Sequence, residues 1–197
     1  MSRLQRTLEA FDALNREDPN REMVDGEAQP KELVYGQRMS ECLGQFCPDA
    51  SETLQLAARS QHIRRWAIAR SDYPMDRAGY KRWRTDLALY HGEVAGQVMA
   101  EQGYDDASIE RVKDLLLKKR LKRDPEVQTL EDVICLVFLR FYLDDFARKH
   151  DEDKLISIIR KTWNKMSDIG HAEALKLPLS APMQSLVGKA LAPDETD

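Results

Sequence analysis

Apolar residues recur three and four positions apart along most of this 197-residue chain, which is the spacing of one helical face. The clearest stripe follows Asp76 and passes through Tyr80, Trp83, Leu87 and His91. Residues that favour helix starts precede most of these stripes, and glycine (9) and proline (8) are scarce. The sequence therefore predicts an all-α fold, a compact helical bundle of about seven helices.

The expected helix starts are marked by caps and helix-breaking residues. They are Ser2, Pro30, Ser51, Asp76, Asp105, Thr129 and Asp151. The stretch NREDPNREMVDGEAQP breaks the periodicity and predicts a loop. The run Val133 to Leu139 is hydrophobic all round, so the sixth helix is expected to be the most central. We expect one domain over residues 1–197, with a helix and loop over 1–30, a helical core over 31–176, and a segment over 177–197 that forms one short helix and frays.

Composition narrows the class of protein. Hydrophobic residues make up 42% and charged residues 32%, which is typical of a globular chain. No apolar run is long enough to span a bilayer, and the first residues do not resemble a signal peptide. The three cysteines, Cys42, Cys47 and Cys135, form no CxxC pair and favour a reducing compartment. We therefore expect a soluble, cytoplasmic protein with no membrane partner.

Positive charge is concentrated in two segments of an otherwise acidic chain. Residues 59–84 hold eight basic residues against two acids, and residues 111–123 hold seven against one. This asymmetry predicts an anion-binding surface, although each segment could equally be a solvated helix face. If the two segments face one cleft, its ligand-binding walls would carry Arg64, Arg65, Arg84, Lys118 and Lys119. Tyr80 and Trp83, at helical spacing among these cations, are expected to be mainly structural.

Two of the four histidines, His62 and His91, fall on inward-facing stripes. Together with Glu131 and Asp132 they form a candidate catalytic cluster, because imidazole and carboxylate groups serve as general bases and as metal ligands. A divalent metal would be held by His62, His91 and Asp132. The alternative is that the histidines are hydrogen-bonded core residues and that the two acids cap the sixth helix. No phosphate loop, dinucleotide fingerprint or zinc-protease motif is present.

Several long stretches resemble a known family. They are QHIRRW, YPMDRAGYKRWR, KKRLKRDPEVQTLEDVICLVFL and IIRKTWNKMS, and they closely resemble the family of domain of unknown function 4202. The resemblance covers most of the chain. It implies no activity, because the family description assigns none.

A more distant resemblance links the order of elements to the HD-domain superfamily of metal-dependent phosphohydrolases. In that pattern Tyr35 of YGQRM stands where a histidine is expected, and Ile63 of QHIRRW replaces an aspartate. His62 matches, the segment from His91 resembles the third element, and Asp132 or Glu131 supplies the last acid. The resemblance implies that the metal site is lost, rebuilt around His62, His91 and Asp132, or replaced by a metal-free anion pocket.

Three functions follow as expectations. The first is an HD-domain-like protein that binds, and as an enzyme hydrolyses, a phosphorylated small molecule or nucleotide. The second is a non-catalytic module that binds RNA or a nucleotide, and the third is a scaffold for a protein partner. Neither the substrate nor the oligomeric state is specified by the sequence.

Overall fold

Helices form most of the chain, whose computed structural model describes residues 1–192. Over that range the ten α-helices are α1 (Arg3–Asn15), α2 (Lys31–Phe46), α3 (Glu52–Ser60), α4 (Arg77–Glu101), α5 (Asp106–Leu116), α6 (Pro125–Val137), α7 (Leu143–Ala147), α8 (Glu152–Trp163), α9 (Asp168–Ala174) and α10 (Ala181–Leu191). A π-helical turn, Phe138–Tyr142, joins α6 to α7. The predicted all-α class is confirmed, with three helices more than the seven expected.

Side-chain caps define most of the early helix starts. The side chains of Ser2, Ser51, Asp76, Asp105 and Asp151 each accept a hydrogen bond from a backbone N–H in the first turn of the following helix. Such bonds satisfy donors that have no partner within the helix, which is why these residue types mark helix starts. The predicted starts of α1, α3, α4, α5 and α8 are confirmed.

The region predicted to be a loop contains a β-hairpin. Strand β1 (Arg21–Val24) pairs antiparallel with strand β2 (Glu27–Pro30). The connecting residues Asp25 and Gly26 have φ angles of 51° and 85°. Two successive positive φ angles are what a tight two-residue hairpin turn requires, and Asp-Gly is a preferred pair there. The loop prediction was wrong because this turn signal was not recognised.

Helix α6 begins one turn earlier than predicted. Asp124 accepts hydrogen bonds from the N–H groups of the two residues that follow Pro125, at 3.1 and 3.3 Å. Thr129 lies inside the helix, where its hydroxyl donates to the carbonyl of Pro125. Glu131 and Asp132 are therefore interior residues of α6. The expectation that they stand at the mouth of this helix was wrong, and so was the alternative that they cap it.

The chain divides into two compact units, Met1–Leu130 and a second unit that begins at Glu131, so the division falls within α6. The expectation of a single domain over residues 1–197 stays a prediction. Of the predicted C-terminal segment, α10 supplies the expected short helix. The expected fraying falls on residues 193–197, which lie outside the described residues.

In the first unit, α2 packs on α3, α5 packs on α3 and α4, and α1 lies against α2, α3 and α4. The apolar stripes meet in one core, whose largest fully buried side chains are Phe11, Met39, Leu43, Leu54, Leu56, Ile63, Leu87, Met99, Leu115, Leu116 and Leu130. The hydrophobic effect of this burial holds the helices of the first unit together.

In the second unit, α8 packs on α10. The run Val133 to Leu139 is almost entirely buried, since only Ile134 and Phe138 are partly exposed. The predicted burial of this run is confirmed. Over residues 1–192, no helix combines the length and the apolar character needed to cross a membrane.

Candidate functional site

His62 lies in a turn just after α3, not on the helix face predicted for it. The helix ends at Ser60 with Gln61 as its C-cap. The imidazole ring of His62 stacks on the ring of Tyr35 from α2, with centroids 3.8 Å apart and planes inclined by 12°. Stacking fixes the plane of the imidazole while leaving 18% of the side chain exposed.

A carboxylate from α2 orients His62. Nδ1 of His62 lies 3.1 Å from Oε2 of Glu32, which is buried. Burial lowers the pKa of His62 well below its usual value, and the positive charge of Arg65 lowers it further. The imidazole is therefore neutral at pH 7. When its proton sits on Nδ1 and is donated to Glu32, Nε2 of His62 is left as a hydrogen-bond acceptor.

Glu32 is held by both its main chain and its side chain. Its backbone N–H donates to the carboxylate of Asp18 at 2.9 Å, and its own carboxylate lies 3.9 Å from Nε of Arg65. Burial raises the pKa of Glu32, while the charges of Arg65 and Lys31 oppose that rise. The carboxylate that orients His62 is therefore itself fixed in place.

His91 lies on the inner face of α4, as predicted, and is only 3% exposed. Its Nδ1 lies 2.8 Å from the carbonyl oxygen of Ile63, so Nδ1 carries the proton and donates it. Burial, followed by the neighbouring His62, lowers the pKa of His91 to about 3. Nε2 of His91 is buried and has no hydrogen-bond partner. The two imidazole rings are 6.1 Å apart, so two neutral rings lie side by side.

Cations from both basic segments act on His62. After burial, the charges of Arg65, Arg84, Lys118 and Lys31 are the largest causes of its lowered pKa. Arg65 and Arg84 come from the first basic segment and Lys118 from the second. Both segments therefore place positive charge near the same imidazole.

The other two predicted wall residues have different surroundings. Arg64 is in the left-handed region with φ of 49°, and its backbone N–H donates to Oδ1 of Asn15 at 2.9 Å. Asn15 also donates to the carbonyl of Glu32, so this buried amide links the His62 turn to α2. Lys119 is exposed and pairs with Asp114 at 2.7 Å. Their predicted role in ligand binding stays a prediction.

Glu131 and Asp132 belong to the second unit, and the structure gives them partners there. The carboxylate of Asp132 accepts hydrogen bonds from the backbone N–H and the hydroxyl of Ser167, at 2.8 and 2.6 Å. Ser167 in turn caps α9. Glu131 lies 3.5 Å from the ammonium of Lys165. Asp132 thus fixes the start of α9, and the predicted catalytic role of both acids stays a prediction.

Within residues 1–192, no three or more histidine, cysteine, aspartate or glutamate side chains are grouped closely enough to hold a metal ion. The divalent metal expected at His62, His91 and Asp132 therefore rests on sequence alone.

A family model described as a domain of unknown function (DUF4202) matches residues 5–187. The chain belongs to this family. The close resemblance expected from the QHIRRW and KKRLKRDPEVQTLEDVICLVFL stretches is thereby confirmed, whereas the resemblance to HD domains stays a prediction. No curated protein and no solved structure matches this DUF4202 chain significantly.

Two residues of the site in this DUF4202 chain, Glu32 and Asn15, were not predicted from the sequence. Glu32 stands three residues before Tyr35, one turn away on α2, so both belong to one helix face. That spacing could have identified it. Asn15 is the last residue of α1, and no local signal indicates that its amide reaches both Glu32 and Arg64.

The arrangement combines two kinds of group. Nε2 of His62 and Nε2 of His91 are acceptors suited to the O–H of a water or a ligand hydroxyl. Arg65, Arg84 and Lys118 are donors suited to phosphate or carboxylate oxygens. A ligand that carries both an anion and a hydroxyl, or an anion beside a bound water, complements both sets.

Proposed function

We propose that the unit Met1–Leu130 of this DUF4202 protein binds a phosphorylated small molecule beside His62. One observation carries the proposal: cations from two separate segments converge on a neutral, oriented imidazole. Burial is the largest cause of the lowered pKa of His62, and the charges of Arg65, Arg84 and Lys118 lower it further. A bound anion would supply the missing negative charge.

Phosphate fits this charge better than a lone carboxylate does. Four cations, Arg65, Arg84, Lys118 and Lys31, act on His62, and the carboxylate of Glu32 lies among them. A phosphate monoester carries close to two negative charges at pH 7 and three acceptor oxygens. Guanidinium groups match these oxygens in pairs. The site is therefore suited to a phosphoryl group more than to a singly charged ligand.

The same geometry supports hydrolysis as the reaction. With its proton held on Nδ1 by Glu32, His62 can accept a proton at Nε2 from a water whose oxygen attacks the phosphorus. The P–O bond to the ester oxygen then breaks, and the leaving alcohol takes its proton from solvent. Nε2 of His91 is a second acceptor that can orient this water. General base catalysis of this kind contributes about 10²–10⁴-fold in rate. The cations would stabilise negative charge that develops on the phosphoryl oxygens in the transition state.

The order of elements supports an HD-domain-like origin for this site. Tyr35, His62 and His91 occupy three positions of the HD pattern, and their rings lie together. Two neutral imidazoles offer nitrogen ligands for a metal, but the positive charge around them disfavours a divalent cation.

Binding of RNA is the second candidate function. It is favoured by the exposure of most side chains in the second basic segment beyond Lys118, namely Lys119, Arg120, Lys122 and Arg123. Contacts with a nucleic-acid backbone come mainly from such cations, and they weaken steeply as salt increases.

The test uses two arginines of α4 that differ in environment. Arg84 acts on His62, whereas Arg82 is 80% exposed and lies near Asp86. Titration calorimetry with ribose 5-phosphate should show binding that Arg84→Gln weakens by about tenfold or more, since a charge-assisted hydrogen bond contributes roughly 1.5–3 kcal/mol. Arg82→Gln should bind as the wild type does.

Two outcomes would overturn this proposal. One is that ribose 5-phosphate and inorganic phosphate both fail to bind. The other is that Arg82→Gln and Arg84→Gln lose affinity equally, which would indicate a diffuse charge effect. Hydrolysis is tested separately by phosphate release, which His62→Gln should abolish while ribose 5-phosphate still binds.

A further inference from the structure

An exposed aromatic ring lies next to the phosphate site on the same helix. Tyr80 is 47% exposed, which is unusual for a tyrosine within a packed helix stripe. Trp83, one turn further along α4, is buried, and its indole N–H donates to the carbonyl of Ile68 at 3.0 Å. Trp83 is thus structural, as expected from the sequence, whereas Tyr80 presents much of its side chain to solvent.

A series of contacts joins Tyr80 to the His62 cluster, which consists of His62, His91, Glu32 and Arg65. The rings of Tyr80 and Trp83 lie 5.8 Å apart. Cζ of Arg65 lies 4.7 Å from the centre of the Trp83 ring, and Nε of the same arginine is 3.9 Å from Glu32. Arg65 therefore contacts Trp83 of the aromatic pair and also lies near the carboxylate of Glu32. Burial lowers the pKa of Arg65, whereas the charges of Glu32, Tyr35 and Tyr80 favour its charged form.

The helix itself sets the spacing of these groups. Tyr80, Arg84 and His91 are four and seven residues apart along α4, so they share one helix face. Four residues correspond to about 6 Å along the axis, so the exposed ring stands one turn from the arginine. An aromatic ring one turn from a phosphate-binding cation matches a ligand in which a flat ring and a phosphate are joined by a short linker.

The side chains next to the Tyr80 ring are also held in place. Arg70 lies 6.0 Å from the ring centres of both Tyr80 and Trp83. Its guanidinium donates to the carbonyls of Tyr73 and Pro74, at 3.0 and 2.8 Å, so it is held against the linker before α4. A ring whose neighbours are already ordered loses little conformational entropy when a ligand stacks on it.

We propose that the ligand is a nucleotide whose base stacks on Tyr80 while its phosphate lies among Arg65, Arg84 and Lys118. This inference rests on the proposed function and adds the base as a second recognition element. A mononucleotide is favoured over RNA because Arg65 and Arg84 are half-buried beside a single exposed ring. A strand would need a series of rings along an open groove.

The experiment measures separately how much the base and the phosphate contribute to binding affinity. Calorimetric titration of the full chain uses AMP, ribose 5-phosphate and adenosine as probes. AMP should bind more tightly than ribose 5-phosphate, and Tyr80→Ala should weaken AMP binding by about 5- to 150-fold while leaving ribose 5-phosphate unchanged. Tyr80→Phe should keep the affinity for AMP, because the stacking face remains. Leu89→Ala, an equally exposed residue of α4, is the matched control and should not alter AMP binding.

Each alternative outcome is informative. If AMP and ribose 5-phosphate bind equally and Tyr80→Ala changes neither, the nucleotide inference is wrong and the proposed function survives. If neither phosphorylated probe binds, both proposals fail. If an oligonucleotide such as oligo(U) binds far more tightly than AMP, with affinity that falls steeply with salt, the ligand is RNA and the mononucleotide inference is overturned.

Discussion

The His62 cluster of the first unit and the Asp132 cluster of the second, which consists of Asp132 and Ser167, differ in how their polar atoms are hydrogen-bonded. Both oxygens of Asp132 accept hydrogen bonds from Ser167, and the result is a fixed start for α9. Nε2 of His91 is equally buried but has no hydrogen-bond partner, and several cations surround the neighbouring His62. Buried groups that are fully paired stabilise a fold, whereas a buried polar atom without a hydrogen-bond partner points to a ligand.

The largest expected effect concerns the Asp132 cluster. Asp132→Ala removes the acceptor of two part-buried donors of Ser167 and leaves a cavity, so it should lower the free energy of unfolding by about 3–5 kcal/mol. Urea denaturation at pH 7 measures it. Glu173→Ala, which removes a half-exposed acid paired with Lys176, is the control and should cost less than about 0.5 kcal/mol. Equal losses in the two variants would contradict a structural role for Asp132.

The second prediction concerns how the stability of the protein depends on pH through the His62 cluster. His91 has a folded pKa of about 3, whereas an unfolded histidine titrates near 6.5. Between these values the unfolded chain binds more protons than the folded chain does. The contribution of His91 to the free energy of unfolding should therefore be fully present above about pH 6.5 and fall as pH is lowered toward 3. From pH 7 to pH 4.5 the contribution of this group is roughly 2–3 kcal/mol.

The variant His91→Asn tests this pH dependence. Asparagine keeps an N–H for the carbonyl of Ile63 but cannot titrate in this range. Urea midpoints at pH 7 and pH 4.5 should therefore shift less in the variant than in the wild-type protein. If both proteins lose the same stability on acidification, His91 does not hold a depressed pKa.

A third prediction probes how closely the Asp132 cluster is packed. A Cβ added at Gly170 would lie 2.7 Å from Oδ1 of Asp132, so Gly170→Ala should push this carboxylate off Ser167 and cost about 1–3 kcal/mol. Gly188, in α10, has nothing within 4 Å of such a Cβ. Gly188→Ala should therefore stabilise the protein by about 0.5–1 kcal/mol, because alanine favours a helix. Thermal melts of both variants should move in opposite directions.

The parts of the fold that local chemistry determines were predictable. Ser51, Asp76 and Asp105 cap helices because each needs only the N–H groups of the next turn. The hairpin was also local, since Asp25 and Gly26 form its turn, but that turn signal was not recognised in the sequence. The start of α6 was misplaced because Asp124, next to a proline, is a better cap than Thr129.

The candidate site was predictable only in part, because periodicity gives the face of a residue and not its partner. His91 was correctly placed inward, since its stripe continues that of Leu87. The same reasoning could not show that Asp132 accepts two hydrogen bonds from Ser167, 35 residues later. Nor could it show that Glu32, 30 residues before His62, supplies the carboxylate beside that histidine.

The smallest expected effect compares two adjacent lysines. Lys118 adds positive charge near His62, whereas Lys119 pairs with Asp114. Because a nearby cation disfavours the charged imidazole, Lys118→Gln should raise the pKa of His62 toward its usual range and weaken ribose 5-phosphate by about 2- to 5-fold. Lys119→Gln should change neither quantity. NMR titration of the histidine ring resonances, with calorimetry alongside, measures both.

This pair of variants tests the site more finely than the arginines of α4 do. The two lysines share a segment, a side chain and a formal charge, so a difference between them reflects where each side chain lies and which groups it contacts. If both variants raise the pKa of His62 equally, the basic segment acts as a diffuse field, and an extended polyanion becomes the better ligand. If only Lys118→Gln raises the pKa of His62, Lys118 acts on this imidazole through its own position. A local charge of this kind is what binding of a single phosphoryl group requires.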